Sequence, residues 1–594
     1  MKKLFFMMLA LLILPLEVFA ASNNFKVIDE SLKNQVLRYA GVSESDVNLY
    51  AEIFKAIDEG NFDKADALKR NLKTTALNGH VAAKKYLHKD YKSSYEELQS
   101  WLKKYPYLPQ YPAIKNLAVT KAPGYKAPKP QTDEKKLYAS YSWYKDKYSK
   151  LSPKDRQFVR QNLDEFLISI RKTKHDRAVK ILNDVRFKKL VPTKNYDAMC
   201  ATLASAYFLE GDNKEALKWS KQPILRSKDA TACWFGGLAA WKEKNYTLAA
   251  DYFGKLANLE NNDDWLVAAG AYWAYRANMK LKRPDEATKN LRIATDYPRT
   301  FYGILAEYML TGKVDYDWSA KSYFNQMTDK KYAKEILSSP TMRRGILLIL
   351  AGQEDLAAQD WRYNYNKLNI SQKELLLYLS HQFNLPNLSF ITASRLKNYS
   401  KGREYNVFLY PYPDWEPTQG WNVNPAWIWA LVRQESLFMP VIRSHAGACG
   451  LMQLMPATAA QVSGNNSYRS DWRQLYDKQT NIDIGQDYVS NLREKDFIGD
   501  NLIFLAAAYN GGPHNLKKWI NNLDYDDDPL LFMEMIPWKE TRLYVKRVIT
   551  NYWMYSSQMG QNAQSLQQLL AGKWPLLDNH FFLKDEAKLA HKKN

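Results

Sequence analysis

Cysteine is nearly absent from this chain: three occur in 594 residues, at positions 200, 233 and 449. That scarcity excludes a disulfide-built scaffold. No Cys/His cluster has the spacing of metal ligands, so neither a metal nor a cofactor is expected. Cys200 and Cys233 stand 33 positions apart, one unit of the repeat described below. Equivalent positions on stacked helices lie roughly 8–10 Å apart, beyond the about 7 Å that a disulfide tolerates between Cα atoms. Buried free thiols are therefore expected, and Cys449 has no obvious partner. Strand-like alternation is also scarce between residues 25 and 400. The apolar run from Leu4 to Leu14 is too short to span a bilayer. It follows Lys2 and Lys3 and ends near Val18-Phe19-Ala20, which reads as a secretory signal peptide over residues 1–20, cleaved near Ala20. A retained anchor is the alternative. The lack of a nearby cysteine excludes lipid attachment at that site. An exported protein with no transmembrane anchor is expected.

Acidic residues are outnumbered. Lys and Arg total 84 against 63 Asp and Glu, a formal net charge of +21. Such a balance points to an anionic polymer or surface as partner. An exported protein rarely meets nucleic acid, so nucleic acid is not the expected partner; simple solubility is the plain alternative.

A chain this long exceeds what one hydrophobic core organises. Short breakers recur before an alanine, as in Gly60-Asn61-Phe62-Asp63-Lys64-Ala65, Gly211-Asp212-Asn213-Lys214-Glu215-Ala216 and Lys244-Asn245-Tyr246-Thr247-Leu248-Ala249. Arg283-Pro284-Asp285-Glu286-Ala287 and Gly352-Gln353-Glu354-Asp355-Leu356-Ala357 repeat the pattern. The alanines at 178, 216, 249 and 287 are spaced 38, 33 and 38 apart. A period of about 34 with a small residue opening the second helix marks stacked helical hairpins, hence a curved solenoid. The Pro- and Lys-rich stretch Lys121–Thr132 reads as an extended loop.

The most chemically informative stretch runs from Trp427 to Pro456. Asn424 and Pro425 read as a helix start, a capping Asn followed by Pro at the first helical position. Ile428, Leu431, Val432 and Glu435 then fall at i, i+3, i+4 and i+7, which puts a carboxylate on the apolar helix face. Burial disfavours its charged form and raises its pKa, and a carboxylic acid protonated near neutrality can act as a general acid. The bland alternative is that Glu435 ends the stripe and reaches solvent.

Four motifs follow in order. They are Glu435-Ser436, Gly450-Leu451-Met452-Gln453, Ala508-Tyr509-Asn510-Gly511-Gly512-Pro513, and Ile536-Pro537 with Glu540-Thr541-Arg542 and Tyr544-Val545. Together they resemble the catalytic core of the soluble lytic transglycosylases, lysozyme-like enzymes that cleave peptidoglycan. Tyr105-Pro106-Tyr107-Leu108 and Phe301–Ala306 resemble segments of that family's superhelix. The resemblance implies a predominantly α chain: a helical-repeat superhelix, ring- or U-shaped, followed by a lysozyme-like α+β catalytic domain. It implies a superhelical domain over 21–337, a helical linker domain over 338–405 and a catalytic domain over 406–594. Tyr410-Pro411-Tyr412-Pro413 marks the catalytic entry, and the charged C-terminus after Lys584 is expected to fray.

The resemblance also implies roles. Glu435 would be the single acid/base, protonating the bond between N-acetylmuramic acid and N-acetylglucosamine. The sugar's own 6-hydroxyl would then close a 1,6-anhydro ring without water. Ser444, Gln453, Met455, Tyr509, Asn510 and Glu540 would contact the glycan, Tyr509 reaching into the cleft to orient Glu435. Ser436 would support Glu435 from behind. Gly511 stands where that family often has Ala, and His445 is left without a role. Peptidoglycan strands would be the partner in the periplasm, their stem-peptide carboxylates suited to a basic chain; cell-wall synthesis or division proteins are further possible partners. Two other readings stay open. One is a goose-type lysozyme hydrolase, with Asp471, Asp477 or Asp483 supplying a second carboxylate. The other is an inactive glycan- or protein-binding scaffold.

Overall fold

The computed structural model of the chain describes residues 30–126, 148, 150–260, 262–314, 316–318, 338–396, 405–561 and 564–578. The expected signal peptide, the charged C-terminus and the Lys121–Thr132 loop beyond Lys126 lie outside the described residues. Among the described residues the chain is built of helices, with no strand and three isolated β-bridges. The β part expected of the catalytic domain reduces, among the described residues, to the bridges Arg443–Cys449 and Cys449–Leu454 and a separate one between Asn501 and Leu576. Gly447, Gly450 and Gln453 all take positive φ, so the backbone turns back before a ladder can extend.

The hairpin turns share one stereochemical device. Gly60, Gly211 and Gly352 adopt left-handed backbone with φ of 71°, 86° and 71°. At the same place in other turns stand Thr173, Lys244 and Lys282, with φ of 53°, 56° and 58°. The next residue caps the following helix where it can. Asn61, Asp212 and Asn245 each accept from the backbone N–H three residues on, which satisfies a donor the helix leaves orphaned. The alanines at 65, 178, 216, 249, 287 and 357 are all buried, because each stands where its helix packs on the preceding one. From Thr193–Leu209 to Phe301–Thr311, each helix packs on the next. Cys200 and Cys233 are buried free thiols within this stack, and burial pushes each up to about 12.

The chain divides into two compact units, residues 1–139 with 317–415, and residues 140–316 with 416–594. In the first, Tyr50, Phe54 and Ile57 share a core with Ile346, Leu348, Trp361 and Leu376. The helices after residue 338 thus bury their apolar faces on the N-terminal ones. Gly345 is required there, since a Cβ would lie 2.2 Å from the Trp361 ring.

In the second unit the Pro425–Glu435 helix packs along Lys539–Gln558. Trp427 and Trp429 are fully buried, with Trp427 edge-on to Tyr552 at 5.7 Å. The opposite side of Lys539–Gln558 meets the helical repeats. Phe301 stacks on Trp553 at 5.0 Å. Lys546 donates to both oxygens of buried Glu534 at 2.8 Å. Tyr302 donates to the same carboxylate at 2.7 Å and accepts from the Trp273 indole at 3.0 Å.

Candidate active site

The site begins with the helix the sequence delimits. Asn424 accepts from the Ala426 amide at 2.9 Å, Pro425 takes the first position, and every residue from Pro425 to Val432 is buried. The helix ends at Glu435. Ser436 is buried and its hydroxyl donates back to the Val432 carbonyl at 3.1 Å. The chain then leaves through Leu437 and Phe438, with φ of 49° and 63°. Two consecutive non-glycine residues in the left-handed region are strained, and such strain concentrates at functional sites.

Glu435 is half-buried. Burial is the main cause that raises its carboxyl to about 7, and the negative charge of Glu540 adds to the rise. Tyr544 opposes them, its phenol donating to Glu435 Oε1 at 2.5 Å and favouring the ionised form. Tyr509, expected to orient Glu435, donates instead to the Met452 carbonyl at 2.7 Å. Both phenols are held neutral, their pKa values pushed well above the ordinary tyrosine range by burial first and by the Glu435 charge second.

Through Tyr509 the site reaches the turn from Gly450 to Leu454. Gly450 has φ of 78°, and a Cβ there would sit 2.2 Å from the Leu475 carbonyl and from Asn481 Nδ2. Asn481 is fully buried and clamps the turn. Its amide donates to the carbonyls of Cys449 and Leu475 at 3.1 and 2.8 Å, and its oxygen accepts from the Met452 amide at 2.7 Å. Gln453 is itself left-handed at φ 49°, and its side chain donates to the Gly450 carbonyl at 2.9 Å. Met455, which follows, is 41% exposed.

The other expected site residues fall as follows. Ser444 is exposed, and its hydroxyl accepts from the Ala448 amide at 3.0 Å, shaping the loop before Gly450. Asn510 accepts from the Thr541 hydroxyl at 2.6 Å, tying the Tyr509 turn to the helix that carries Glu540 and Tyr544. A Cβ at Gly511 would lie 2.7 Å from the Trp519 ring, so this chain has glycine where its indole needs the room. Glu540 is exposed in the first turn of its helix, where an acid also suits the helix dipole. The structure thus brings Glu435, Tyr544 and the charge of Glu540 together, while Ser444 and Met455 stand exposed on separate loop positions.

The three downstream acids are occupied elsewhere. Asp477 caps its helix at the Thr480 amide, 2.8 Å away, and Asp483 accepts from the Thr418 amide and hydroxyl at 2.8 and 2.5 Å. Asp471 accepts from Gln474 at 3.3 Å. Among the described residues no group of three or more His, Cys, Asp or Glu could hold a metal ion. No described helix is long and apolar enough to cross a membrane.

Two residues of the site carry roles that sequence reasoning missed. Tyr544 lies inside a quoted motif, but its partner is 109 positions away. Asn481 has no motif; its one signal is a buried-face asparagine in a helix, between Thr480 and Ile482.

A family model described as "Transglycosylase SLT domain" matches residues 415–530, which include every residue above from Glu435 to Asn510. A soluble lytic murein transglycosylase of Salmonella typhimurium is 30% identical over 51% of this chain. The Escherichia coli K12 enzyme of the same description is 29% identical over 51%. The matched part spans 45% of each relative's length, so the chain spans about half the length of the curated relatives it matches. A solved complex of the 70-kDa soluble lytic transglycosylase with bulgecin A shares the fold, with a TM-score of 0.59 at 17% identity, covering 90% of this chain and 98% of that one. The architecture is therefore a helical superhelix followed by a lysozyme-like domain. Residues 415–530, the segment that holds Glu435, carry the match to the transglycosylase SLT domain, and the chain is similar to soluble lytic murein transglycosylases over about half of its length.

Proposed function

We propose that the chain cleaves peptidoglycan at the β-1,4 bond between N-acetylmuramic acid and N-acetylglucosamine, leaving a 1,6-anhydro end. One observation carries this reading: a single carboxyl, Glu435, raised to about 7, with Glu540 as the acid whose charge acts on it. At neutral pH much of Glu435 is protonated, so it can give its proton to the glycosidic oxygen as the bond to C1 breaks. The carboxylate then takes the proton of the muramyl 6-hydroxyl as that oxygen bonds to C1. Glu435 ends protonated, as it began, and no water is consumed. The neighbouring N-acetyl group shields the anomeric carbon in place of a second carboxylate, as in substrate-assisted glycosidases. The tethered nucleophile supplies the entropic advantage, and exclusion of water from the bound strand is what separates this outcome from hydrolysis.

In this reading Tyr544 holds the acid in place, and Ser444, Gln453, Met455, Tyr509, Asn510 and Glu540 contact the strand, with Ser436 behind. Residues 1–20 direct export, 21–337 form the superhelix, 338–405 the linker and 406–594 the catalytic domain. The work is cell-wall turnover in the periplasm, on peptidoglycan strands and beside proteins of wall synthesis or division.

The test is product mass. Digestion of purified peptidoglycan is expected to give ends one water lighter than reducing ends. Reducing ends alone would replace the reading with hydrolysis of the goose type. Glu435→Gln is expected to lower turnover at least about a thousandfold while sparing glycan binding; retained turnover would remove Glu435 from the mechanism.

A further inference from the structure

The positive surplus is spread unevenly over the chain. Residues 416–578, which hold Glu435 and the turns around it, carry 14 Lys and Arg against 16 Asp and Glu. Residues 153–190 carry 11 against 5, on the helices Pro153–Arg171, His175–Asn183 and Val185–Leu190. The first of these helices has two distinct faces. Val159, Leu163 and Phe166 are buried in a core shared with Ile181, Leu182 and Phe187. Arg160, Asp164, Leu167, Ile168 and Arg171 fall at i, i+4, i+7, i+8 and i+11, one stripe of the helix, and all five are exposed. Leu167 and Ile168 are 37% and 43% exposed. Arg160 precedes them, and Arg171, Lys172 and Lys174 follow. Glu165 is taken by Arg177 and Asp155 by Arg186. Among the described residues Arg160, Arg171, Lys172 and Lys174 are in no ion pair, and Asp164 is the one acid on the stripe. A single exposed leucine needs no explanation. An adjacent aliphatic pair set among four unpaired cations is the pattern of a basic amphipathic helix.

We propose that this outer face of Pro153–Arg171 docks the protein on an anionic phospholipid surface. Leu167 and Ile168 enter the boundary between headgroups and acyl chains, and the four cations meet the lipid phosphates. Protein partners are gripped through aromatic or arginine anchors seated in pockets. The stripe offers no aromatic side chain, only long cationic arms around a small aliphatic patch, which suits a fluid array of negative charge. The helix belongs to the same compact unit as Glu435, so docking would hold the acid at a membrane surface without any spanning helix. The inference goes beyond glycan cleavage and does not depend on it.

The test is sedimentation of the full chain with vesicles of phosphatidylcholine alone or in equal mixture with phosphatidylglycerol. The anionic vesicles are expected to bind about tenfold more tightly at low salt and to lose most of that advantage at high salt. Arg171→Gln with Lys172→Gln should weaken binding to the anionic vesicles about tenfold. Leu167→Ser with Ile168→Ser keeps the charge and should weaken it about fivefold. Should either pair melt early, Arg160→Gln with Lys174→Gln and Leu167→Gln alone read the same two contributions. Turnover of purified, lipid-free peptidoglycan should match the parent's in every variant. Equal binding of both vesicles by the parent, or full binding by the glutamine pair, overturns the proposal. So does full binding by the serine pair, which would leave bare charge attraction and assign the face to an acidic protein. Turnover lost on lipid-free peptidoglycan would assign it to the glycan strand instead. Vesicle binding can fail while anhydro products still form, and the products can fail while vesicle binding stands.

Discussion

One proton at Glu435 is tuned by opposing neighbours. Burial and the Glu540 charge raise its pKa to about 7, and the Tyr544 hydroxyl lowers it. Tyr544→Phe removes the lowering contribution alone, so the pKa must climb further. The protonated acid would then survive to higher pH, and the alkaline limb of kcat/KM should move up by roughly one to two pH units, with kcat reduced. A pH–rate profile of the variant reads this directly; a limb that stays put or moves down would mean the phenol does not act on the reacting carboxyl. Glu435 was legible because a helix repeats every 3.6 residues, and Asn424-Pro425 because caps have their own chemistry. The Tyr544 contact was not, since a phenol's direction depends on how Lys539–Gln558 lies along Pro425–Glu435. Tyr509 shows the same gap: its hydroxyl donates to the Met452 carbonyl.

At the scale of the element, the Gly450–Leu454 turn is held by one buried amide rather than by a sheet. Asn481 satisfies two carbonyls and one N–H there. Asn481→Ala leaves them unpaired in the interior, at a cost of about 1–3 kcal/mol. It also frees Gln453, so KM for glycan should rise along with the loss of stability. Urea denaturation with steady-state kinetics measures both, and a stability loss with KM unchanged would make Asn481 purely structural. The repeat hairpins were read more completely. Their alanines are visible because a small residue at a close helix contact repeats with the period. The left-handed Thr173, Lys244 and Lys282 were visible only as breaks, since no side chain but glycine announces positive φ.

At the scale of the molecule, the helix that aims Tyr544 at Glu435 has a second duty on its far side. There Lys546, Glu534, Tyr302 and Trp273 form a buried chain of hydrogen bonds from the catalytic domain into the helical repeats. Around it Arg276 pairs with Asp528 at 2.6 Å, and Lys242 with Asp524 and Asp526 at 2.9 and 3.1 Å. A buried pair of this kind is weak evidence for stability, because desolvation offsets most of its attraction; breaking it is costly because one charge is left uncompensated. Burial already lowers the Lys546 pKa against the pull of Glu534. Lys546→Met should therefore destabilise the unit of residues 140–316 and 416–594 by about 3–5 kcal/mol, and adding Glu534→Leu should recover most of that loss. Urea midpoints of the two variants decide it. If the double variant were as unstable as the single, the pair itself would hold the repeats to the catalytic domain. If it recovers, apolar contacts such as Phe301 on Trp553 hold them, and the ionic chain instead fixes which way the Lys539–Gln558 helix faces, and with it the phenol on Glu435.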